Sequence, residues 1–167
     1  LQMKILDPQA VRFTKTKTVA LNCTLPDGTL IRKVFCVPLF PFSAPGTYIS
    51  IITRPLGAEP EEVGIIKNLR DFLADQQRLI RDNIDFTHFT PEIEDIKKIS
   101  IKRGTYECQV LTNRGDRKFY LRNIRENLAL KNGGKIIITD VEKCRYQITA
   151  ADKLPLKAQK ELMKILP

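Results

Sequence analysis

Two predicted strands followed by an amphipathic helix occur twice in this sequence, and this pattern constrains the fold more than any other feature. The first copy covers residues 48–84, and Asn68, a residue type that caps helices, separates its strands from its helix. The second copy covers residues 135–166, with Asp152 at the same point. Each helix has one apolar face that needs a sheet to cover it. The pattern predicts an α+β fold of antiparallel sheets with two amphipathic helices.

Side chains of the two copies correspond at constant offsets. Such a correspondence arises either by duplication or by a chance match of two amphipathic patterns. The apolar stripe predicted for the first helix is Leu69, Phe72, Leu73, Leu79, Ile80 and Ile84. The corresponding sets are Ile49, Ile51, Ile66, Phe72, Gln77, Arg78, Ile80 and Ile84 in the first copy, and Ile136, Ile138, Ile148, Leu154, Gln159, Lys160, Leu162 and Leu166 in the second.

The rest of the chain is predicted to add further strands. Residues 13–37 indicate a hairpin with its turn at residues 26–28, and residues 93–122, between the two copies, indicate a three-stranded meander. Residues 38–46 are rich in proline, which fixes φ and lacks an N–H donor, so an extended connection is predicted there. A chain of this length fits one domain, and a single domain over residues 1–167 is predicted.

The chain is basic, with a net charge of +9, which favours partners such as nucleic acid, anionic lipid headgroups or an acidic protein face. Much of this charge falls in the meander, where Tyr106, Phe119 and Tyr120 are interleaved with it. One interpretation is a face that binds phosphates and stacks on bases. The other, favoured by strand alternation, is a solvated face with the aromatic rings in the core. The basic residues are Lys97, Lys98, Lys102, Arg103, Arg114, Arg117, Lys118, Arg122 and Arg125.

Residues with catalytic or metal-binding chemistry form no specific motif. His88 is the single histidine, and neither Ser43 nor Asp140 has a spacing that predicts a triad with it, so it is interpreted as a helix-end residue. The pair Gly133-Gly134 precedes a strand and not a helix, which argues against a phosphate-binding loop. No catalytic residue, metal site or cofactor is predicted. The acidic clusters, interpreted as solvated loop charge, are Glu59, Glu61 and Glu62, and Glu92, Glu94 and Asp95.

The cysteines and the apolar runs indicate in which cellular compartment the chain is expected. No two cysteines are close enough in sequence for a metal-binding pair, so buried free thiols in a reducing cytoplasm are expected. The apolar runs are strand-sized and shorter than the roughly 20 residues of a membrane helix, so no membrane span is predicted. The thiols are those of Cys23, Cys36, Cys108 and Cys144.

Four segments, in this order and at these separations, resemble a bacterial domain-of-unknown-function family, over about residues 34–166. Members occur alone or at the C-terminus of ABC transporters, and some are labelled as associated with cyanophycin metabolism. The chain departs from the family pattern at Tyr106, at Asn113 and near Ala158, and it lacks the family's arginine before the Phe-Pro pair. The segments are Phe40–Pro45 with Tyr48–Ser50, Phe89–Ile93, Thr112–Gly115 before Phe119, and Ile138–Asp140 before Arg145 and Tyr146.

The resemblance implies a non-enzymatic cytoplasmic accessory or ligand-binding module associated with an ABC transporter. Its expected partners are a transporter subunit or an anionic ligand, with peripheral contact to a membrane. The alternative interpretation is a nucleic-acid-binding module that uses the basic residues between Lys97 and Arg125, and an enzyme of unknown type ranks third.

Overall fold

The computed structural model describes residues 3–55 and 57–167, and the chain divides into two compact units, Leu1–Phe89 (unit 1) and Thr90–Pro167 (unit 2). Antiparallel strands predominate in the described residues, together with three α-helices. The α+β class predicted from the sequence is therefore confirmed.

Unit 1 contains one five-stranded antiparallel sheet with the strands in chain order. The predicted hairpin corresponds to β2 and β3, and the structure adds β1 before them. The turn at residues 26–28 is present, because Gly28 N–H donates to the carbonyl of Leu25, and Thr29 N–H donates to the Asp27 carboxylate. The strands are β1 Arg12–Lys15, β2 Leu21–Thr24, β3 Leu30–Pro38, β4 Thr47–Thr53 and β5 Glu61–Asn68.

The helix of unit 1, α1, spans Ala74–His88 and starts later than the sequence predicted. Asn68 does act as a cap, but of a 3-10 turn over Leu69–Asp71, where its side chain accepts a hydrogen bond from the backbone N–H of Arg70. Phe72 then adopts an extended conformation that interrupts the helix. The Gln77 side-chain amide spans this break by donating to the carbonyls of Arg70 and Phe72.

The buried face of α1 also differs from the predicted apolar stripe. Ile80 is buried as predicted, whereas Leu73 is 58% exposed. Two amide side chains, Gln76 and Asn83, occupy buried positions on the face that packs across β1 and β3. Both bind backbone: Gln76 contacts β1, and Asn83 accepts from the N–H of Cys36 (2.8 Å). The helix is therefore joined to the sheet by hydrogen bonds as well as by apolar contact.

Unit 2 contains two three-stranded antiparallel sheets. The predicted meander forms the first sheet, and its strands are longer than the sequence indicated because β-bulges let β6 continue past local register shifts. A single turn of helix, α2, precedes the second sheet, in which the order is β11-β10-β9. The elements are β6 Ile93–Lys102, β7 Thr105–Thr112, β8 Gly115–Leu121, α2 Ile124–Asn127, β9 Leu128–Leu130, β10 Ile136–Thr139 and β11 Arg145–Ile148.

The last helix, α3, spans Leu156–Leu162 and packs against β6. The prediction that Asp152 caps this helix is wrong, because Asp152 lies within a 3-10 turn over Ala151–Lys153 and Pro155 precedes α3. The side-chain amide of Gln159 donates to the carbonyls of Asp152 and Leu154. Gln77 makes the same pair of contacts in unit 1, at the corresponding positions.

Corresponding residues of the two copies also pair in the same way within their own units. Ile49 lies opposite Ile66 in the β4–β5 pair, and Ile136 lies opposite Ile148 in the β10–β11 pair. In each unit one parallel bridge joins an earlier segment to the second strand of the pair. These bridges connect Ile5 with Ile65 and Glu92 with Gln147.

Gly64 in β5 allows the N-terminal segment of unit 1 to pack directly against the sheet. A Cβ at this position would lie 2.6 Å from Cδ2 of Leu6 and 3.0 Å from the carbonyl O of Lys4. We therefore expect Gly64→Ala to lower the free energy of unfolding by about 1–3 kcal/mol through overpacking. Urea denaturation measures this change. The cost should be smaller when Leu6→Ala is also present, and an equal cost in both backgrounds would contradict the steric explanation.

Candidate functional site

The predicted basic residues do not share one face of the meander. Cross-strand register places Lys98, Gln109 and Lys118 side by side on the exposed face. Their charge is partly balanced, since Lys118 lies 3.2 Å from Glu107, and Lys97 lies 2.7 Å from Asp116. Hydrogen bonds from Gln109 and from Lys118 lower the pKa of Glu107, and the bond to Glu107 raises the pKa of Lys118. This face therefore presents paired charges of both signs.

The opposite face of the meander is buried and holds Phe119, which is 1% exposed. Its ring stacks on Tyr146 of β11, with centroids 4.2 Å apart. Register places Arg117 on this side too, opposite Val110. The position of Phe119 agrees with the interpretation in which aromatic rings of the meander enter the core. Phe119 therefore has no face available for stacking on a base.

Four of the nine basic residues lie at one end of the meander, which we call the basic end. Arg103 and Gly104 form the two-residue turn between β6 and β7, and both have positive φ, as a tight hairpin turn requires. Antiparallel pairing brings the end of β8 to the same place, where Nε of Arg122 donates to Oγ1 of Thr105 (3.1 Å). All four side chains are exposed. The basic end consists of Lys102, Arg103, Arg122 and Arg125.

Arg114 lies at the other end of the meander, in the β7–β8 turn. Asn113 in this turn is joined to Glu92, since the Asn113 N–H donates to the Glu92 carbonyl and the Asn113 side chain accepts from the Glu92 N–H. The Glu92 carboxylate accepts from the N–H of Thr149 (2.7 Å), beside an open cavity of about 320 Å³ that Glu94 and Lys153 also line. The Glu92 carboxylate is therefore engaged in a hydrogen bond to the backbone of Thr149. Within the described residues, no group of three or more His, Cys, Asp or Glu could hold a metal ion.

A second surface, in unit 1, is aromatic. Phe42, in the proline-rich connection, is 87% exposed and lies edge-on to His88 (6.4 Å between ring centroids). His88 in turn contacts Phe89 (4.8 Å), and Phe40 contacts Tyr48 (6.1 Å). Two sequence-distant segments thus contribute to this surface, the connection before β4 and the C-terminal end of α1. We use the name aromatic surface for these two groups of rings, Phe40 with Tyr48, and Phe42 with His88 and Phe89.

The connection that carries these rings is held by backbone hydrogen bonds of its own. The N–H of Ala44 donates to the carbonyl of Phe40, and the N–H of Thr47 donates to the carbonyl of Ala44. Tyr48 has a φ of 51°, a left-handed conformation that is uncommon for an aromatic residue. His88 is the last residue of α1, as the sequence predicted, and is exposed. The rings are therefore presented by a hydrogen-bonded turn and a helix end.

A buried carboxylate in unit 2 is a feature whose environment the sequence did not predict. Asp140 follows β10, and its Oδ1 accepts from the N–H groups of Glu142 and Cys144, both at 2.9 Å. The hydroxyl of Tyr146 lies 3.5 Å from Oδ2 of Asp140. Burial raises the pKa of Asp140 to about 7, and burial also raises the pKa of Tyr146. The Asp140 side chain therefore accepts two backbone hydrogen bonds from the turn between β10 and β11.

The four cysteines are buried thiols, as predicted. Burial raises the pKa of Cys23 to about 11 and that of Cys108 to about 12, and it also raises the pKa of Cys36. Thiols with raised pKa values and no access to solvent are poor nucleophiles. They act here as small apolar side chains.

Comparison with known proteins gives one match. A family model described as a domain of unknown function, DUF1854, matches residues 31–165, which includes the aromatic connection and the whole meander. No curated protein and no solved structure gives a significant match. No helix in the described part of the chain is long and apolar enough to cross a membrane.

Proposed function

The chain belongs to the DUF1854 family, and we propose from this premise that it is a non-enzymatic cytoplasmic accessory module that docks on a subunit of an ABC transporter. The observation that carries the proposal is the aromatic surface of unit 1. The resemblance to a family that also occurs at the C-terminus of ABC transporters supplies the class of partner.

Exposed aromatic rings are a characteristic feature of protein interfaces. Phe42 is 87% exposed, and Phe40 and Phe89 are each nearly half exposed. Aromatic side chains are enriched in interface cores, where a few of them contribute most of the binding free energy. Because the connection is held by backbone hydrogen bonds, its backbone loses little conformational freedom when a partner covers the rings. The surface therefore suits a partner with an apolar groove.

The rest of the molecule is proposed to act as scaffold. The two copies of the strand-pair-and-helix pattern share their pairing register and the contacts of Gln77 and Gln159. A chance match of amphipathic patterns does not require these polar contacts, so they support duplication. The aromatic connection, residues 38–46, lies before the first copy, and no such segment precedes the second copy, which agrees with a role that the scaffold does not need.

Co-purification from detergent-solubilised native membranes tests this proposal. We expect the wild-type chain to recover an ABC transporter subunit, identified by mass spectrometry. The variant Phe42→Ala should reduce that recovery by roughly tenfold or more, since truncation of a central aromatic contact commonly costs 2 kcal/mol or more. The variant should fold normally, because the ring is almost fully exposed.

Leu73→Ala provides a matched control. Leu73 is also an exposed apolar residue of unit 1, but it lies at the other end of α1 from His88, about 22 Å away along a helix that rises 1.5 Å per residue. We expect this variant to recover as much transporter subunit as the wild type. Equal losses for both variants, or recovery of free monomer alone while the transporter is present in the same extract, would contradict the proposal.

A further inference from the structure

The basic end of the meander combines concentrated positive charge with an exposed apolar residue. Lys102 and Arg103 lie on the β6–β7 turn, and Arg122 is fixed beside it by its bond to Thr105. The side chain of Asn127 donates to the carbonyl of Arg122 (2.7 Å), which holds α2 and its Arg125 next to the same end. From this arrangement we infer that the basic end is a docking surface for the anionic headgroups of a lipid bilayer.

The charge at this end is mostly positive. Four basic residues are exposed here, and the acidic residues nearest to them in sequence are Glu107, which is paired with Lys118, and Glu126, which follows Arg125. The exposed face of the sheet differs, because its lysines lie beside carboxylates, with Lys97 on Asp116 and Lys118 on Glu107. Positive charge that is not balanced locally attracts the negative surface of an anionic bilayer within about a Debye length. The basic end is thus the part of the meander that such a surface would contact.

Ile101 adds an apolar contribution at the same place. It is 58% exposed although it lies in a strand, directly before Lys102. Tyr106, its cross-strand partner, is half-buried. An apolar side chain beside basic residues, with a tyrosine next to it, matches the composition of segments that lie in the headgroup region of bilayers. A turn of this kind inserts a single apolar side chain while the charges remain among the phosphates.

Nucleic acid is the other polyanion that a basic surface could bind, and the geometry favours it less. Binding of single strands relies on aromatic faces on which bases stack. Phe119 is buried against Tyr146. Tyr120 is half-buried and lies opposite Glu107 on the sheet face. At the basic end itself, Tyr106 is the one aromatic residue of the meander, and it is half-buried. The basic end therefore offers charge and an aliphatic side chain, but not a series of exposed rings on which successive bases could stack.

This inference is independent of the proposed transporter partner, because it rests on unit 2 and needs no protein. Vesicle sedimentation of the purified chain tests it, with vesicles of phosphatidylcholine alone and vesicles that also contain phosphatidylglycerol. We expect the chain to pellet with the anionic vesicles only, and the affinity to fall as salt is added. The double variant Lys102→Glu, Arg125→Glu should lower that affinity by at least about tenfold, since each basic residue near an anionic surface contributes measurably.

The control is Lys15→Glu, Arg81→Glu, which makes the same change in net charge at exposed positions of unit 1. We expect it to keep most of the vesicle binding. Ile101→Ser should weaken binding to anionic vesicles without changing the net charge, and it provides a second test if the double variant fails to fold. Equal binding to both kinds of vesicle, an equal loss in the control, or tight binding of oligonucleotides with no binding to vesicles would overturn the inference.

Discussion

Replacement of Gln76 by Leu is expected to lower the free energy of unfolding by about 2–5 kcal/mol, although the two side chains are similar in size. The Gln76 carboxamide accepts from the N–H of Phe13 (2.6 Å) and donates to the carbonyl of the same residue (3.0 Å). Phe13 lies in β1, the edge strand of the sheet, and both residues are buried. Leucine would leave a backbone donor and a backbone acceptor without partners and away from water, and each such group costs about 1–3 kcal/mol.

Urea denaturation of Gln76→Leu measures this effect, and Gln109→Leu is the matched control. Gln109 lies on the exposed face of the meander, where its side chain donates to Glu107 and does not bind the backbone of an edge strand. We expect the control to change the free energy of unfolding by less than about 1 kcal/mol. If both variants lost the same stability, the hydrogen bonds of Gln76 to β1 would not explain the cost.

Unit 2 stabilises the edge of its meander with different residues. Ile99 in the edge strand β6 donates its N–H to the carboxylate of Glu161 (2.8 Å) and accepts from Nζ of Lys164 (3.1 Å). The two side chains also contact each other, at 2.7 Å. Side chains from a helix or from the residues just after it thus bind backbone groups of an edge strand in both units. One amide of α1 does so in unit 1, and the ion pair of Glu161 in α3 with Lys164, two residues beyond the helix, does so in unit 2. Such contacts also prevent the edge from pairing with another chain.

Elements that depend on the turn and capping preferences of neighbouring residues could be predicted from the sequence. The Asp27-Gly28 turn and the meander each depend on residue types that favour one backbone conformation. Asn68 is likewise a capping residue, although it caps a 3-10 turn and not the helix that the sequence predicted. The buried face of α1 could not be predicted from apolar periodicity, because Gln76 and Asn83 are polar and their burial depends on backbone groups of β1 and β3 that are distant in sequence. Helical spacing identifies an apolar stripe but not the acceptors and donors opposite it.

The distribution of the basic residues depends on strand register and tertiary contacts, which the alternation of side chains along a strand does not predict. A register shift between Ile96 and Lys98 interrupts the two-residue period, so that Lys97 and Lys98 are both exposed. The turn at Arg103 and the contact between Arg122 and Thr105 bring together residues that are about twenty positions apart. The composition of the meander therefore predicted a basic surface, but tertiary pairing decides that the unbalanced charge lies at one end of it.

Asp140 is expected to make the stability of unit 2 depend on pH near neutrality. Burial raises its pKa from the ordinary value of 3.8 to about 7, so the folded state binds a proton more tightly than the unfolded state does. Between these two pKa values the folded chain holds more protons, and its stability falls as the pH rises toward 7. Above about pH 7 the carboxylate must be charged in a buried site, which costs about 4 kcal/mol relative to a neutral side chain.

Asp140→Asn separates this charge effect from the hydrogen bonds of the turn. The asparagine oxygen still accepts from the N–H groups of Glu142 and Cys144, but it carries no charge. We expect the variant to be more stable than the wild type at about pH 8, to match it within about 1 kcal/mol near pH 5, and to show a flatter profile between them. Asp140→Ala removes the acceptor and should be less stable than the wild type by about 2 kcal/mol near pH 5, but the difference should shrink or vanish at about pH 8, where the wild type holds the buried charge. Urea midpoints measured across this range provide the comparison.

Two results would contradict this prediction. The first is a wild-type free energy of unfolding that rises from pH 5 to pH 8. The second is an Asp140→Asn variant that loses as much stability as Asp140→Ala. Either result would show that the charged carboxylate stabilises the turn, because its hydrogen bonds would then outweigh the cost of its burial.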